Sequence, residues 1–320
     1  PTYGGMNTFL FSWREIFWFI LPVVAIALLL GAFTIPQKIK TRHDTFDFLG
    51  LLLLGVSFFL IAEGFTEAGN FGWLSIQFWG FLVAGLVVIG LFIYHSLHSD
   101  RDLLDLTIFK SPTFVLSIIT LSILTYFLFQ LMNIGISYLL PNYSQLVFGA
   151  NSLVAGSAIL LGSLIGAIVQ PISGRLLDSH GAGYPIRIGS VLIVVAMVLF
   201  ALFGLHLTIP LIIGFYSIFG LGFGFSFGNV MTNGIQQVPG KLQQDANAAF
   251  NTSQQYAGSI GTAIMAAILT SSQQSDSHLS QAVLSAQGGD HDFILLAILA
   301  VTAVMLILIN FQKQAKTSRA

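Results

Sequence analysis

The chain has 320 residues, of which 55% are hydrophobic and only 8% are charged. A soluble globular domain carries about 25% charged residues, so this composition excludes an ordinary water-soluble fold and indicates a protein surrounded by lipid. The net charge of −1 gives no reason to expect a nucleic-acid partner, and the absence of cysteine excludes disulfides and cysteine-based metal or catalytic sites.

Nine apolar stretches approach or exceed the length needed to cross a bilayer. A hydrocarbon core about 30 Å thick requires roughly 20 apolar residues in a helix, and a helix satisfies its own backbone in lipid. The eighth stretch is the weakest, because Asn251, Gln254 and Gln255 interrupt its first half. The sequence predicts an all-α polytopic membrane protein with about nine spans, at residues 16–35, 46–65, 76–97, 114–140, 153–172, 186–205, 211–231, 250–269 and 293–311.

The basic residues between and after these spans fall on one side. When the connections are counted alternately from the first span, all 12 lysines and arginines except Arg14 lie in odd-numbered connections or in the tail. This is the positive-inside pattern of cytoplasmic loops, so a cytoplasmic C-terminus is predicted. The same alternation places residues 270–292, which are rich in Ser and Gln, in a mobile outer loop.

The start of the chain carries a partial motif. Pro1, Gly4 and Gly5 form a Pro-x-x-Gly-Gly pattern, and Trp-Arg-Glu-Ile-Phe follows at 13–17 with Pro22 beyond. This opening resembles the end of the antiporter motif in the fifth span of drug:proton antiporters of the major facilitator superfamily, followed by the entry to their sixth span. The resemblance implies that an N-terminal part precedes Pro1.

A second motif occupies residues 171–187. Pro171 and Gly174 are expected to end the fifth predicted span tightly, and Asp178 can pair with Arg175 or Arg187 or accept hydrogen bonds from a helix N-terminus. The motif resembles the G-x-L-x-D-x-x-G cytoplasmic loop that recurs in each half of that superfamily. The resemblance implies a latch on the inward face, and the alternative is an interfacial turn with a capping Asp. The candidate gate residues are Gly174, Arg175, Asp178, Gly181 and Arg187.

Glycines and amides at 220–233 and 247–261 resemble the last spans of the fourteen-span drug:proton antiporter subfamily. Five spans upstream of Pro1 would complete that number. The resemblance implies an end of the N-terminal bundle at 1–35, two linking helices with cytoplasmic loops at 36–112, a six-helix C-terminal bundle at 113–312 and a cytoplasmic tail at 313–320. Gly162-x-x-x-Gly166 and Gly224-x-x-x-Gly228 predict close helix contacts.

Polar side chains within the spans are the substrate-site candidates. Gln130 and Asn133 are three residues apart and can share a helix face, and Asn229 and Asn233 are four apart. Amide and aromatic groups facing one apolar cavity would suit bulky amphipathic drugs, whereas the alternative for each residue is an interhelical hydrogen bond. The candidates are Tyr126, Gln130, Asn133, Tyr138, Asn229, Asn233, Gln254 and Gln255.

Acidic residues near the predicted spans are few. Glu63, about one turn from the outer surface, is the proton-coupling candidate, with an interfacial carboxylate as the alternative. The resemblance places the proton-carrying acid in the N-terminal half, upstream of this chain. His95 and His98 have no further ligand nearby in the sequence, so they are interpreted as the inner end of a span and no metal site is predicted.

The predicted function is secondary active efflux of amphipathic drugs or antibiotics in exchange for protons. Two helical bundles would rock about a central site, in a plasma-membrane monomer that needs no cofactor. One alternative is a transporter of another solute, such as a siderophore, lipid or metabolite, because a fold does not fix its cargo. An intramembrane enzyme, which should cluster ionisable residues within its spans, and a nontransporting remnant are the others.

Overall fold

The computed structural model describes residues 2–10, 14–34, 46–98, 113–275 and 278–317, and the regular structure of these residues is entirely helical. Two short 3-10 turns, Gly204–His206 and Gly240–Leu242, separate some of the helices. The α-helices are α1 (Thr2–Leu10), α2 (Glu15–Thr34), α3 (Phe48–Phe71), α4 (Ile76–His98), α5 (Thr113–Phe148), α6 (Ser152–Ser157), α7 (Leu160–His180), α8 (Gly183–Phe203), α9 (Ile209–Gln236), α10 (Gln243–Gln273) and α11 (Gln281–Thr317).

Eight helical segments in the described ranges are long and apolar enough to cross a membrane, judged by length and composition. Large apolar side chains on them face outward; Trp18 is 73% exposed and Leu202 is 71% exposed. Exposed apolar surface of this extent is unfavourable in water and favourable in lipid. The prediction of an all-α polytopic membrane protein is confirmed.

The expected ninth span differs from the prediction. The stretch at 250–269 lies within α10, a helix of 31 residues that is not apolar enough to be counted with the other eight. Small and polar side chains give it this character. Such a helix keeps its polar groups away from lipid when other helices surround it, and α10 packs against α3, α5 and α11.

The prediction of an outer loop at residues 270–292 is wrong. Helix α10 continues to Gln273, and α11 begins at Gln281, so only a short connection separates them. The last predicted span, 293–311, is the middle of a helix of 37 residues. The serines and glutamines of this segment favoured a loop when only the sequence was considered. Their side chains are nevertheless compatible with a helix that packs against other helices through its opposite face. Ser285, which is fully buried, accepts a hydrogen bond from Gln273 at 2.9 Å.

Helices α5 and α7–α11 enclose one apolar core. Its largest fully buried side chains come from α5, α8, α9, α10 and α11, and they include Phe129, Phe200, Phe219, Phe250 and Phe293. Phe200 stacks on Phe293 with ring centroids 5.1 Å apart. This core fixes the relative positions of the helices that carry the candidate site.

Glycines allow α7 and α9 to touch along their backbones. A Cβ on Gly220 would meet the carbonyl oxygen of Gly162, and one on Gly224 would lie 2.6 Å from the carbonyl oxygen of Gly166. The predicted contact role of the 162–166 pair is therefore confirmed, and its partner is the 220–224 pair. Gly228, in contrast, has only the side chain of Gln170 nearby.

Helices α3 and α4 pair with each other, and α3 packs on α10. Ala68, Phe78 and Ala267 form a small apolar cluster at this contact. Tyr256 of α10 makes a hydroxyl contact with Ser57 and a ring contact with Phe58. The α3–α4 hairpin is thus attached to the C-terminal helices through α10.

Candidate substrate cavity and gate

A cavity of about 260 Å³ lies between α5, α7 and α9. Asn133 of α5 and Gln170 of α7 place amide groups on its wall, and Phe219 and Phe223 of α9 supply aromatic rings. Gln170 is exposed, so the cavity opens along α7. Gln170 was not among the residues predicted from the sequence, although an amide within an apolar span is the same signal that indicated Asn133.

A ladder of aromatic rings leads away from this cavity. Phe219, Phe223 and Phe227 recur every four residues, so they share one face of α9. The ring centroids are 5.8 Å apart for the first pair and 4.5 Å apart for the second. Tyr126 of α5 stacks on Phe227 at 4.1 Å with an interplanar angle of 12°. The regular spacing of the phenylalanines was visible in the sequence but was not used there.

Tyr126 and Gln254, two of the predicted residues, meet at the end of the ladder. The Tyr126 hydroxyl donates a hydrogen bond of 2.9 Å to Gln254 Oε1. Phe250 packs edge-on against the Tyr126 ring at 5.2 Å. The hydrogen bond joins α5 to α10 beside an aromatic surface that is continuous with the cavity.

The eight polar candidates do not face one cavity, which corrects that part of the prediction. Gln130 is buried on α5 but does not line the cavity, and Gln255 is exposed on α10. Tyr138 lies close enough to Asp292 to interact with it electrostatically. Asn233 lines a small separate cavity with Ser122 and Asn310. The spacing of residues within one helix shows which of them share a face. It does not show which neighbouring helix that face contacts.

Asn229 is engaged between α9 and α7. Its Nδ2 donates to Ser173 Oγ at 2.6 Å and to the Phe225 carbonyl oxygen at 2.9 Å. Ser173 Oγ in turn donates to the same Phe225 carbonyl oxygen at 2.8 Å. These contacts are the interhelical hydrogen bonding that was the alternative for Asn229.

The gate motif lies at the end of α7. The expected helix end at Pro171 and Gly174 is wrong, because α7 runs through both residues to His180 and stops at Gly181, whose φ is +79°. A helix accommodates an internal proline when other groups compensate for the lost hydrogen bond, and the left-handed φ at Gly181 is the stronger stop signal.

The charged residues of this motif do not form the expected pair. In the ranges that the structure describes, Asp178 makes no salt bridge to Arg175 or Arg187, and all three are exposed. The Arg187 guanidinium lies instead 5.1 Å from the centre of the Phe311 ring of α11. The latch role of Asp178 stays a prediction, and its partner would have to come from outside these residues.

The antiporter-motif remnant is only partly visible, since Pro1 lies outside the described residues. Gly4 has open space around it, whereas a Cβ on Gly5 would meet the backbone of Ser152 in α6. Ser152 Oγ donates to the Gly5 carbonyl oxygen at 3.2 Å. Gly5 is therefore a point where α1 and α6 approach closely.

Two acids have very different surroundings. Glu63, the predicted coupling residue, is half-buried in α3. Asp292 was assigned to the outer loop, yet it lies inside α11 with no exposed surface. Asp292 was not a predicted site residue, because the last span was expected to begin at Phe293, about three turns after the start of α11 at Gln281.

His95 and His98 have separate partners. His95 Nε2 lies 2.9 Å and 3.1 Å from the two carboxylate oxygens of Asp47, which also accepts a hydrogen bond from the Gly50 amide at 2.8 Å. His98 Nδ1 is 2.8 Å from the Tyr94 carbonyl oxygen. The Asp47–His95 contact ties the start of α3 to the end of α4.

Together the helices, their lipid-facing surface and the cavity between them define a polytopic membrane protein of the transporter class. Residues 1–262 match the model of the Major Facilitator Superfamily, which is most of the chain. The chain belongs to this family.

Curated relatives carry names from drug resistance. The chain is 30% identical to the lincomycin resistance protein LmrB of Listeria monocytogenes over 88% of its length and 59% of that protein. It is 29% identical to LmrB of Bacillus subtilis, over 99% of the chain and 67% of that protein. It is 27% identical to the multidrug resistance protein Stp of Mycobacterium tuberculosis, over 88% of the chain and 52% of that protein. The chain spans between half and two thirds of the length of these relatives.

Proposed function

We propose that this chain forms the C-terminal part of a transporter that exports amphipathic drugs or antibiotics in exchange for protons. The single observation that carries the proposal is the cavity between α5, α7 and α9, with its amides and its aromatic ladder. Apolar walls with a few polar groups are the usual composition of a small-molecule site. The names of the relatives, lincomycin and multidrug resistance proteins, support the same class of substrate.

The membrane arrangement is part of the proposal. The protein is a plasma-membrane monomer with a cytoplasmic C-terminus, and α10 crosses the membrane among its neighbours although it is more polar than they are. The linking helices α3 and α4 lie between an N-terminal bundle and the helices from α5 onward. Alternating access would expose the cavity to each side in turn, with a proton gradient as the energy source.

Replacing Phe223 by alanine tests the cavity. Phe223→Ala removes the middle ring of the ladder, so drug export should fall about two- to tenfold, the range expected from losing one aromatic stacking interaction. Phe59→Ala is the matched control, since Phe59 is 62% exposed on α3 and outside the cavity. The measurement is drug efflux from a sensitive bacterial host and uptake into everted membrane vesicles, normalised to protein abundance.

The same experiment decides between cargoes. A panel containing lincomycin, other antibiotics and cationic dyes should include at least one compound whose export depends on both the protein and a pH gradient. If no drug in the panel is exported while a siderophore, lipid or metabolite is, the drug proposal is wrong and the cavity serves the other solute. Equal export by the Phe223→Ala and Phe59→Ala variants would remove the cavity from the proposal.

A further inference from the structure

Asp292 is buried in α11 without a polar partner. Its side chain has no exposed surface, and neither carboxylate oxygen has a hydrogen-bond partner among the described residues. The neighbouring Phe293 and Leu296 are also fully buried. Asp292 is 11 residues beyond the first residue of α11, Gln281, which places it about 16 Å along the helix axis.

The elements around Asp292 supply no cation to neutralise it. Helix α11 packs against α5, α8, α10 and the turn at Gly204–His206. Helix α8 has no Asp, Glu, Lys, Arg or His from residue 188 to residue 203, and α10 has none from residue 246 to its end at Gln273. From α5, the phenol of Tyr138 interacts with Asp292, and the Tyr143 hydroxyl donates to the Gly204 carbonyl oxygen at 2.7 Å.

The remaining titratable groups nearby point elsewhere. His206 of the turn and His291 of α11 are exposed, and Asp290 is half-buried beside Gly204. The hydroxyl of Tyr256 of α10 contacts Ser57 of α3, on the side of α10 that faces away from Asp292. Asp292 is therefore an acid enclosed by apolar side chains and one phenol.

An ionised carboxylate is poorly accommodated in such a place, because it has lost its water and gained neither a hydrogen bond nor a cation. The neutral acid avoids most of this penalty. Asp47, the other buried acid in the described ranges, differs in having the His95 imidazole against its carboxylate.

We propose that Asp292 is a proton-binding site of the C-terminal helices, protonated in the conformation described and deprotonated when α11 shifts and admits water. On release the carboxylic O–H bond breaks, the proton passes to water and the carboxylate remains on α11. Proton binding stands on the geometry of Asp292 alone, whereas a role of that proton in driving export rests on the proposed function.

Polar side chains at the start of α11 lie on the same side of the helix as this acid and would form a polar route for water. Ser285 lies seven residues before Asp292, so the two occupy the same face two turns apart. Ser285 is buried and accepts the hydrogen bond from Gln273 at the end of α10. Between them, Gly289 lies directly against the Tyr143 ring, where a side chain would block the packing of α11 on α5. A small displacement of α11 at Gly289 would bring water to Asp292 from this end.

The proton itself is detected by infrared spectroscopy of the complete protein in lipid, with ¹³C-labelled aspartate side chains. At neutral pH the unmodified protein should show the carbonyl band of a protonated aspartic acid. The band should disappear in Asp292→Asn and remain in Asp290→Asn, the matched control two residues away. Asp292→Glu should also remove the labelled band, so the assignment does not depend on the asparagine variant alone.

Transport measurements test whether the proton on Asp292 drives export. In proteoliposomes, Asp292→Asn should lower export driven by a pH gradient by about tenfold, the factor that corresponds to a change of one unit in a pKa. Exchange of substrate at equilibrium should persist in this variant. Asp290→Asn should leave both rates within about twofold.

The two parts of the inference fail separately. Absence of the protonated band in the unmodified protein, or its persistence in Asp292→Asn, would overturn proton binding. A band that depends on Asp292 together with undiminished gradient-driven export in Asp292→Asn would overturn the coupling role. If the unmodified protein showed the band but no response to a pH gradient, the proposed function would fail and the proton-binding site would stand.

Discussion

Asn133 and Asn229 have the same side chain and opposite surroundings. Asn133 is half-buried on the wall of the cavity, where its amide is available to a ligand. Asn229 is 7% exposed, and its amide donates hydrogen bonds to Ser173 and to the backbone of its own helix. At the residue scale, the two asparagines should therefore have different functions.

Alanine substitution separates these functions. Asn133→Ala should change the relative export of different drugs while protein abundance stays near that of the parent. Asn229→Ala should lower the free energy of unfolding by about 1–3 kcal/mol, because it removes the buried hydrogen bonds from the Asn229 amide to Ser173 and to the Phe225 carbonyl oxygen. The measurements are drug-resistance profiles and thermal unfolding in detergent. A selectivity change in Asn229→Ala without loss of stability would show that the hydrogen bond is not its main role.

The acids show where residue-level prediction ends. Glu63 was found because it stands inside an apolar run, and hydropathy alone is enough for that. Asp292 follows Gly288, Gly289 and Asp290 in a polar segment that reads as a loop. In the structure that segment is helical and packs against α5, α8 and α10, which buries Asp292, and local composition does not reveal such packing against distant residues.

At the element scale, the contact between α7 and α9 depends on backbone against backbone. Where two helices approach this closely, even one methyl group must displace main-chain atoms, which cannot rotate away as side chains do. Gly220 and Gly214 lie on the same helix, but only Gly220 faces α7; a Cβ on Gly214 would meet no atom within 4 Å.

Gly220→Ala should therefore destabilise the protein by about 1–3 kcal/mol, the usual cost of overpacking. Gly214→Ala is the matched control and should be neutral or slightly stabilising, because alanine favours a helix over glycine. Thermal unfolding of both variants in the same detergent provides the comparison. Equal melting temperatures would contradict the close approach of α7 and α9.

Helix identity was more predictable than helix ends. Eight of the predicted spans are long apolar runs in the described ranges, and length plus hydropathy is sufficient to find them. The end of α7 was misplaced, since Pro171 suggested a stop although the chain continues helical until Gly181. Helix α10 was found despite the polar interruptions at Asn251, Gln254 and Gln255, but its polarity could be explained only after its neighbours were known.

At the scale of the whole molecule, the ends of α7 and α10 are predicted on opposite sides of the membrane. Ser179 at the end of α7 follows Arg175, in a connection assigned to the cytoplasm. Gln274 at the end of α10 lies in the short connection assigned to the outside. Both side chains are exposed, so both can be labelled.

A chain without cysteine makes this arrangement easy to test. An impermeant thiol reagent added to intact cells should label Gln274→Cys and should label Ser179→Cys only after the membrane is permeabilised. Labelling of the two positions from the same side would contradict the proposed topology and with it the direction of the polar route to Asp292.

The candidate cavity illustrates what a sequence contains at this scale and what it lacks. Asn133, Tyr126 and Gln254 were selected because polar groups are costly in lipid spans, and the structure places all three on or beside the cavity and its aromatic ladder. The grouping of the eight candidates depended on how α5, α9 and α10, the helices that carry them, are rotated against each other. Hydrophobic periodicity is weak when lipid and protein faces are both apolar, so that rotation was not predictable.

The attachment of the α3–α4 hairpin to α10 has a consequence for how such chains can change over time. Leu52 and Phe59 of α3 face outward, while Ser57 and Phe58 meet Tyr256 of α10. The α3–α4 hairpin thus covers one face of α10, and the hydroxyl and amide side chains of α10 are tolerated beneath it. A lineage that loses the hairpin is expected to replace those side chains by apolar ones, so the hairpin and the polar side chains of α10 should be inherited or lost together.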